Sequence, residues 1–217
     1  KLVNLLLDIG TPDYNLRNKY GRTSIFTAIR YSDVSMLNSL IQRGFRSDIT
    51  DNFGWTILHY AIIYGNSTII NEILKNKDFV RKYANLRDTS GFSAIHYASI
   101  IGKYDLIKVL VRRGQGDVTI KNNRGQTALH LVSLGDVRPR IVYIGVNKVF
   151  AVLRCGKTWI PKINLNKKHL QIESLCLGKV LPYKNLQFTA IELLKFGAVV
   201  NSADLTGLKA LHYCVMA

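Results

Sequence analysis

Five near-copies of one short stretch run through the 217-residue chain: GRTSIFTAI (21–29), GWTILHYAI (54–62), GFSAIHYAS (91–99), GQTALHLVS (125–133) and GLKALHYCV (207–215). Their leading glycines lie 33, 37, 34 and 82 residues apart. A chain that repeats itself in this way folds as repeated units, each burying its apolar face against the next. An apolar helical segment follows each of the first three copies: MLNSLIQRG (36–44), TIINEILKN (68–76) and LIKVLVRRG (106–114). AIELLKFG (190–197) follows the fourth after a gap. Each unit therefore reads as turn, short helix, second helix. The leading glycine supplies the positive φ of the turn, and the next Thr or Ser is placed to cap the first helix. Gly44, Gly114 and Gly197 are expected to end second helices in the left-handed conformation.

The pattern resembles the ankyrin repeat, whose signature is G-x-T-P-L-H-x-A followed by a second helix and a loop. The likeness covers about three quarters of the chain, with departures. Ser24, Ile57, Ala94, Ala128 and Ala210 stand where the family has proline, and Phe26 replaces the first histidine. The resemblance implies an all-α solenoid of stacked helix-turn-helix units with hairpin-like tips, plus one irregular insertion. The expected division gives the end of a preceding repeat and a linking turn at 1–20. Repeats follow at 21–53, at 54–90 with an extended exit loop (76–90), and at 91–124. An interrupted repeat takes 125–136 and 187–206 around a basic insertion at 137–186, and a truncated repeat takes 207–217. Neither end shows a polar capping unit, so the array is expected to belong to a longer chain.

Four of the five histidines, His59, His96, His130 and His212, fall five residues after a leading glycine. Equivalent atoms of stacked units sit about 10 Å apart, whereas ligands of one metal lie about 2 Å from it. Neighbouring copies cannot share an ion. The resemblance implies that these histidines tie adjacent turns together through ring hydrogen bonds. No Ser, Cys or Asp recurs at a spacing that would complete a triad, and no Gly-rich phosphate loop is present. The expectation is a protein with no catalytic residues, no metal and no cofactor.

The insertion stands apart in composition. Residues 137–186 hold ten Lys or Arg against one acid, Glu173, a net +9 of the chain's +16. Three readings stay open: a looped-out surface insertion with a hairpin from Ile141 to Cys155, a translated unspliced intron, or a basic arm with Tyr143, Phe150, Trp159 and Tyr183 among its charges. The codons of Val137-Arg138 are compatible with a splice donor and those of Leu186-Gln187 with an acceptor. Removing these 51 residues would leave the unit two residues short.

Three cysteines, Cys155, Cys176 and Cys214, are too few and too scattered for a disulfide framework. That suits an intracellular setting, cytoplasm before nucleus. No apolar run is long enough to span a bilayer. Function must then come from the surface, and in ankyrin-like arrays partners dock on the concave side made by turn tips and first helices. Carried onto this chain, the expected contacts are Tyr20, Arg22, Tyr31, Phe53, Trp55, Tyr64, Phe92 and Arg124, rich in types that dominate binding energy. The expected role is a protein-interaction scaffold, monomeric within its longer chain. The alternatives are nucleic acid or an acidic partner held by 137–186, or a regulatory or targeting array in a larger enzyme or channel.

Overall fold

The computed structural model describes residue 13 and residues 15–43, 49–133, 139–144, 148–153 and 183–216. The expected unit at 1–20 lies mostly outside these residues, as does Gly44. Five short helices form one layer: α1 (Ser24–Arg30), α3 (Ile57–Tyr64), α6 (Ala94–Ile100), α8 (Ala128–Ser133) and α10 (Ala210–Met216). Each packs on the next in chain order. The second layer runs α2 (Val34–Gln42), α4 (Ser67–Lys75), α5 (Lys77–Tyr83), α7 (Tyr104–Gly114) and α9 (Tyr183–Lys195), again neighbour on neighbour. This is the all-α solenoid of stacked helix pairs that the repeat predicts.

The layers are joined by apolar side chains at fixed places in the repeat. Leu40, Leu110 and Leu193, each four residues before Gly44, Gly114 and Gly197, have no exposed surface. Helix α3 is buried almost all round: its Ile57, Leu58, Tyr60, Ala61 and Ile62 are each 2% exposed or less. Burying one such aliphatic side chain contributes about 1.5–3 kcal/mol. Second helices are amphipathic and keep one face in water. Short polar caps set where they begin. Asp33 Oδ1 accepts from Met36 N at 2.9 Å, and Asn66 Oδ1 accepts from Ile69 N at 2.9 Å.

The exit loop of the second unit differs from the expected loop, because α5 takes up nearly half of it. Asn76 caps this helix by accepting from Phe79 N at 2.9 Å, and Phe79, Val80 and Tyr83 bury its inner face. The extra residues thus insert a helix between α4 and α7, where apolar burial outweighs the looser loop alternative. This insertion explains Gly114. The glycine is buried inside α7 with ordinary helical geometry, and a Cβ there would meet Val80 Cγ1 at 2.8 Å and Ala84 Cβ at 3.0 Å. The left-handed residue that ends α7 is Gln115, with φ 52°, rather than Gly114. Gly197 takes the expected positive φ, 87°.

In the insertion, β1 (Pro139–Ile144) pairs antiparallel with β2 (Lys148–Leu153), from Pro139 opposite Leu153 to Ile144 opposite Lys148. The expected hairpin is present, ending at Leu153; Cys155 lies outside the described residues. Helix α9 begins at Tyr183, six residues before Thr189, where the repeat pattern would start it. Asn185 and Leu186 pack over Gly102, and Tyr104 meets Phe188 with ring centroids 5.4 Å apart. The boundary expected between 186 and 187 therefore falls inside a packed helix.

Candidate functional site

The surface of interest is built from the turns, and each turn is built around one residue three positions before the leading glycine. Asn18, Asp51, Asp88, Asn122 and Asp204 occupy that place. Every one accepts, through Oδ1, from the backbone N–H two and four residues on. For Asp51 these are Phe53 N at 2.9 Å and Trp55 N at 3.0 Å; for Asp88 they are Ser90 N and Phe92 N, both at 2.8 Å. Asn18, Asn122 and Asp204 repeat the pattern. An Asx side chain closes such a turn because its oxygen mimics a backbone carbonyl. The recurrent Asp or Asn was visible in the sequence at the repeat period, yet the glycine-led alignment passed over it.

The turns are also tied to one another. Asn52 N donates to Tyr20 O at 3.0 Å, Thr89 N to Phe53 O at 2.9 Å, Asn123 N to Ser90 O at 3.1 Å and Leu205 N to Arg124 O at 3.0 Å. A basic residue just before the Asx position braces the edge. Arg17 Nη2 donates to Thr50 O at 2.7 Å, Arg87 Nη2 to Asn123 Oδ1 at 2.8 Å and Lys121 Nζ to Ala203 O at 2.9 Å. The second carboxylate oxygens reach between units. Asp51 Oδ2 accepts from Arg22 Nε at 3.1 Å, and Asp88 Oδ2 accepts from Trp55 Nε1 at 3.1 Å and Tyr97 OH at 2.5 Å. Burial pushes the Asp51 carboxyl upward in pKa, against the backbone N–H groups of Trp55 and Phe53 and the Arg22 pair that favour its charge.

Behind the turns stand the histidines. Nδ1 of His59, His96 and His130 accepts from the backbone N–H of Thr56, Ser93 and Thr127 at 3.1, 3.0 and 3.1 Å. That acceptance leaves the proton on Nε2. His96 Nε2 then donates to Gln126 O at 3.3 Å and His130 Nε2 to Leu208 O at 3.2 Å, each carbonyl belonging to the next unit. His59 Nε2 is buried and makes no such bond to the next unit. Exposed His212 repeats the first bond only, from Lys209 N at 2.9 Å. Burial holds His59 and His96 neutral, pulling both pKa values down to about 4, and lowers that of His130. Among the described residues no three His, Cys, Asp or Glu are grouped to hold a metal ion.

The eight expected contact residues separate into different settings. Trp55 requires correction: it is 1% exposed, with its indole N–H on Asp88 and its ring edge-on to Tyr60 and Tyr97 at 6.0 and 5.5 Å. A large ring with a single donor gains most by filling the gap between units, so Trp55 drops out of the expected contact set. Arg22 is half-buried, bridging to Asp51 with its guanidinium near the rings of Tyr20, Phe53 and Tyr60. Phe53 and Phe92 are half-buried, Phe92 packing against His96 and Tyr97. Tyr20 and Tyr64 are half-buried, the latter 4.4 Å from the Tyr60 ring. Tyr31 is 75% exposed and Arg124 is exposed. Of the basic arm, Trp159 and the other residues at 154–182 lie outside the described residues.

A sequence model of ankyrin repeats in three copies matches residues 1–84, and a single-repeat model matches 90–123, together more than half of the chain. The chain belongs to the ankyrin repeat family. It is 26% identical over 225 residues to a protein of Acanthamoeba polyphaga mimivirus named for its ankyrin repeats; the match takes in 94% of this chain and 29% of that protein. A second protein so named, from fowlpox virus, is 31% identical over 87 residues, which is 40% of this chain and 20% of that one. The chain thus spans less than a third of either relative. Ankyrin repeats are in general protein–protein interaction modules, and the family is typically non-catalytic. No helix among the described residues is long and apolar enough to cross a membrane.

Proposed function

We propose that this array is a protein-interaction scaffold whose partner docks on the face made by turn tips and first helices. The observation that carries this reading is the ladder of hydrogen bonds linking four successive pairs of turns. Tips locked by their own Asx residues and by their neighbours lose little entropy on binding, which is how a preformed surface gains affinity. Tyr20, Phe53, Phe92 and Arg124 are carried on that ladder, with Tyr31 and Tyr64 at its border and Arg22 holding two turns together. The protein acts without chemistry of its own, as a monomeric unit of a longer chain within the cell, in the cytoplasm before the nucleus.

The test places a photo-crosslinking amino acid at Phe53 or at Phe92, and at exposed Lys75 on α4 as the control. A partner trapped from both tip positions, absent at Lys75 and competed by unlabelled protein supports the proposal. Equal capture at all three positions would sink it.

A further inference from the structure

Resting on that scaffold reading, we infer that the partner presents an extended acidic protein segment to the turn tips, with carboxylates recurring about every third residue. The inference comes from where charge is left unbalanced. The first helices SIFTAIR, ILHYAIIY, AIHYASI, ALHLVS and ALHYCVM contain no Asp or Glu. The described turns contain three carboxylates, and all are consumed internally. Asp51 is 3% exposed and paired with Arg22; Asp88 is 7% exposed and accepts four hydrogen bonds. Asp204 Oδ1 holds Thr206 and Leu208, while its Oδ2 accepts from Tyr213 OH. Every other described acid lies on the second layer or in its flanking loops: Asp13, Asp33, Glu72, Asp78, Asp105, Asp117 and Glu192.

The cations are distributed differently. Arg17 and Lys19 are exposed on the first turn, Arg87 on the third, and Lys121 and Arg124 on the fourth. Arg17 and Lys121 give their hydrogen bonds to carbonyls, and Arg87 to a carbonyl and an amide oxygen. Such neutral acceptors fix the side chains without cancelling their charge. The turn face is therefore cationic with no exposed carboxylate among the described residues, while the second layer carries both signs. A docking partner gains by complementing that potential.

Geometry and ring packing narrow the partner. Neighbouring units lie about 10 Å apart, and an extended chain advances about 3.3 Å per residue, so one acidic residue in three matches one turn per unit. A nucleic acid would need open ring faces on which to stack. Here Phe92 already packs on His96 and Tyr97, and Phe53 lies beneath Arg22. Half-covered rings suit the aliphatic and aromatic side chains between the carboxylates of a peptide.

The test uses the full chain and a fluorescein-labelled twelve-residue probe, (Glu-Leu-Ser)4, read by anisotropy at 50 and 300 mM NaCl. Comparison probes carry Lys in place of Glu, or the same composition with all four Glu adjacent, and a single-stranded oligonucleotide of equal charge forms a further arm. We expect the spaced acidic probe to bind best and to weaken about tenfold at the higher salt. Lys19→Glu and Arg124→Glu together should weaken it at least about tenfold, while Lys77→Glu with Arg81→Glu on α5 should leave it unchanged. Circular dichroism confirms that both variants fold. Full binding by the tip variant would overturn the inference, since the probe would then be held elsewhere, as on 137–186. Tighter binding of the oligonucleotide, or equal binding of the Lys probe, would overturn it too. If the crosslinked tip partner proves to lack an acidic segment, the inference fails and the scaffold reading stands.

Discussion

Acidification provides a direct test of the histidine arrangement. In the folded protein His59 and His96 have pKa values of about 4, against 6.5 for the unperturbed side chain. Burial disfavours the imidazolium, and Nδ1, already accepting a backbone N–H, has no room for a second proton. Between those values the unfolded chain binds more protons than the folded one, so stability is fully present above about pH 6.5 and falls as the pH drops toward 4. From pH 7 to pH 5 the loss works out at about 2 kcal/mol per histidine, about 4 kcal/mol for the pair. His130 shifts in the same direction and adds to the loss. Asp51, raised by burial, works against it, because its folded form takes up a proton first. The assay is urea unfolding followed by circular dichroism at half-unit intervals between pH 7 and 5. His96→Gln removes one titrating group while keeping a side chain able to cap Ser93 N in the manner of a capping box. That variant should lose about 2 kcal/mol less than the parent over the same range. A flat pH profile in the parent, or an undiminished slope in His96→Gln, would refute the assignment of the acid sensitivity to these rings.

Two further outcomes follow from the packing. Asp88→Ala strands Trp55 Nε1, Tyr97 OH and two backbone N–H groups, and should cost about 3–5 kcal/mol. Asp88→Asn keeps the two backbone bonds, as Asn122 does naturally, and should cost about 1–2 kcal/mol; equal losses measured by denaturant titration would show that the two backbone bonds to Oδ1 contribute nothing. Gly114→Ala drives a methyl into Val80 and should cost about 1–3 kcal/mol. Combining it with Val80→Ala should cost less than the sum of the two single changes, and strict additivity would mean the residues are not in contact.

The reach of the sequence is clearest where a residue's role is set within its own unit. The glycine-led period, the apolar spacing of each helix and the position five residues on that carries His59, His96, His130 and His212 are all local, and repetition amplifies them. Hence the solenoid was legible in the spacing. The Asx residues were equally local and equally legible.

Tertiary structure decided what depends on the neighbouring unit. Trp55 stands in a turn, and the carboxylate of Asp88, 33 positions further on, with the rings of Tyr60 and Tyr97, makes its burial favourable. Gly114 resembles a helix-ending glycine in the sequence; the insertion of α5 makes it a contact point instead. The start of α9 was hidden for the same reason, since Leu186 joins the helix because it packs over Gly102. A one-dimensional pattern fixes what each unit must bury, and the stacking of units fixes which side chains are left facing water.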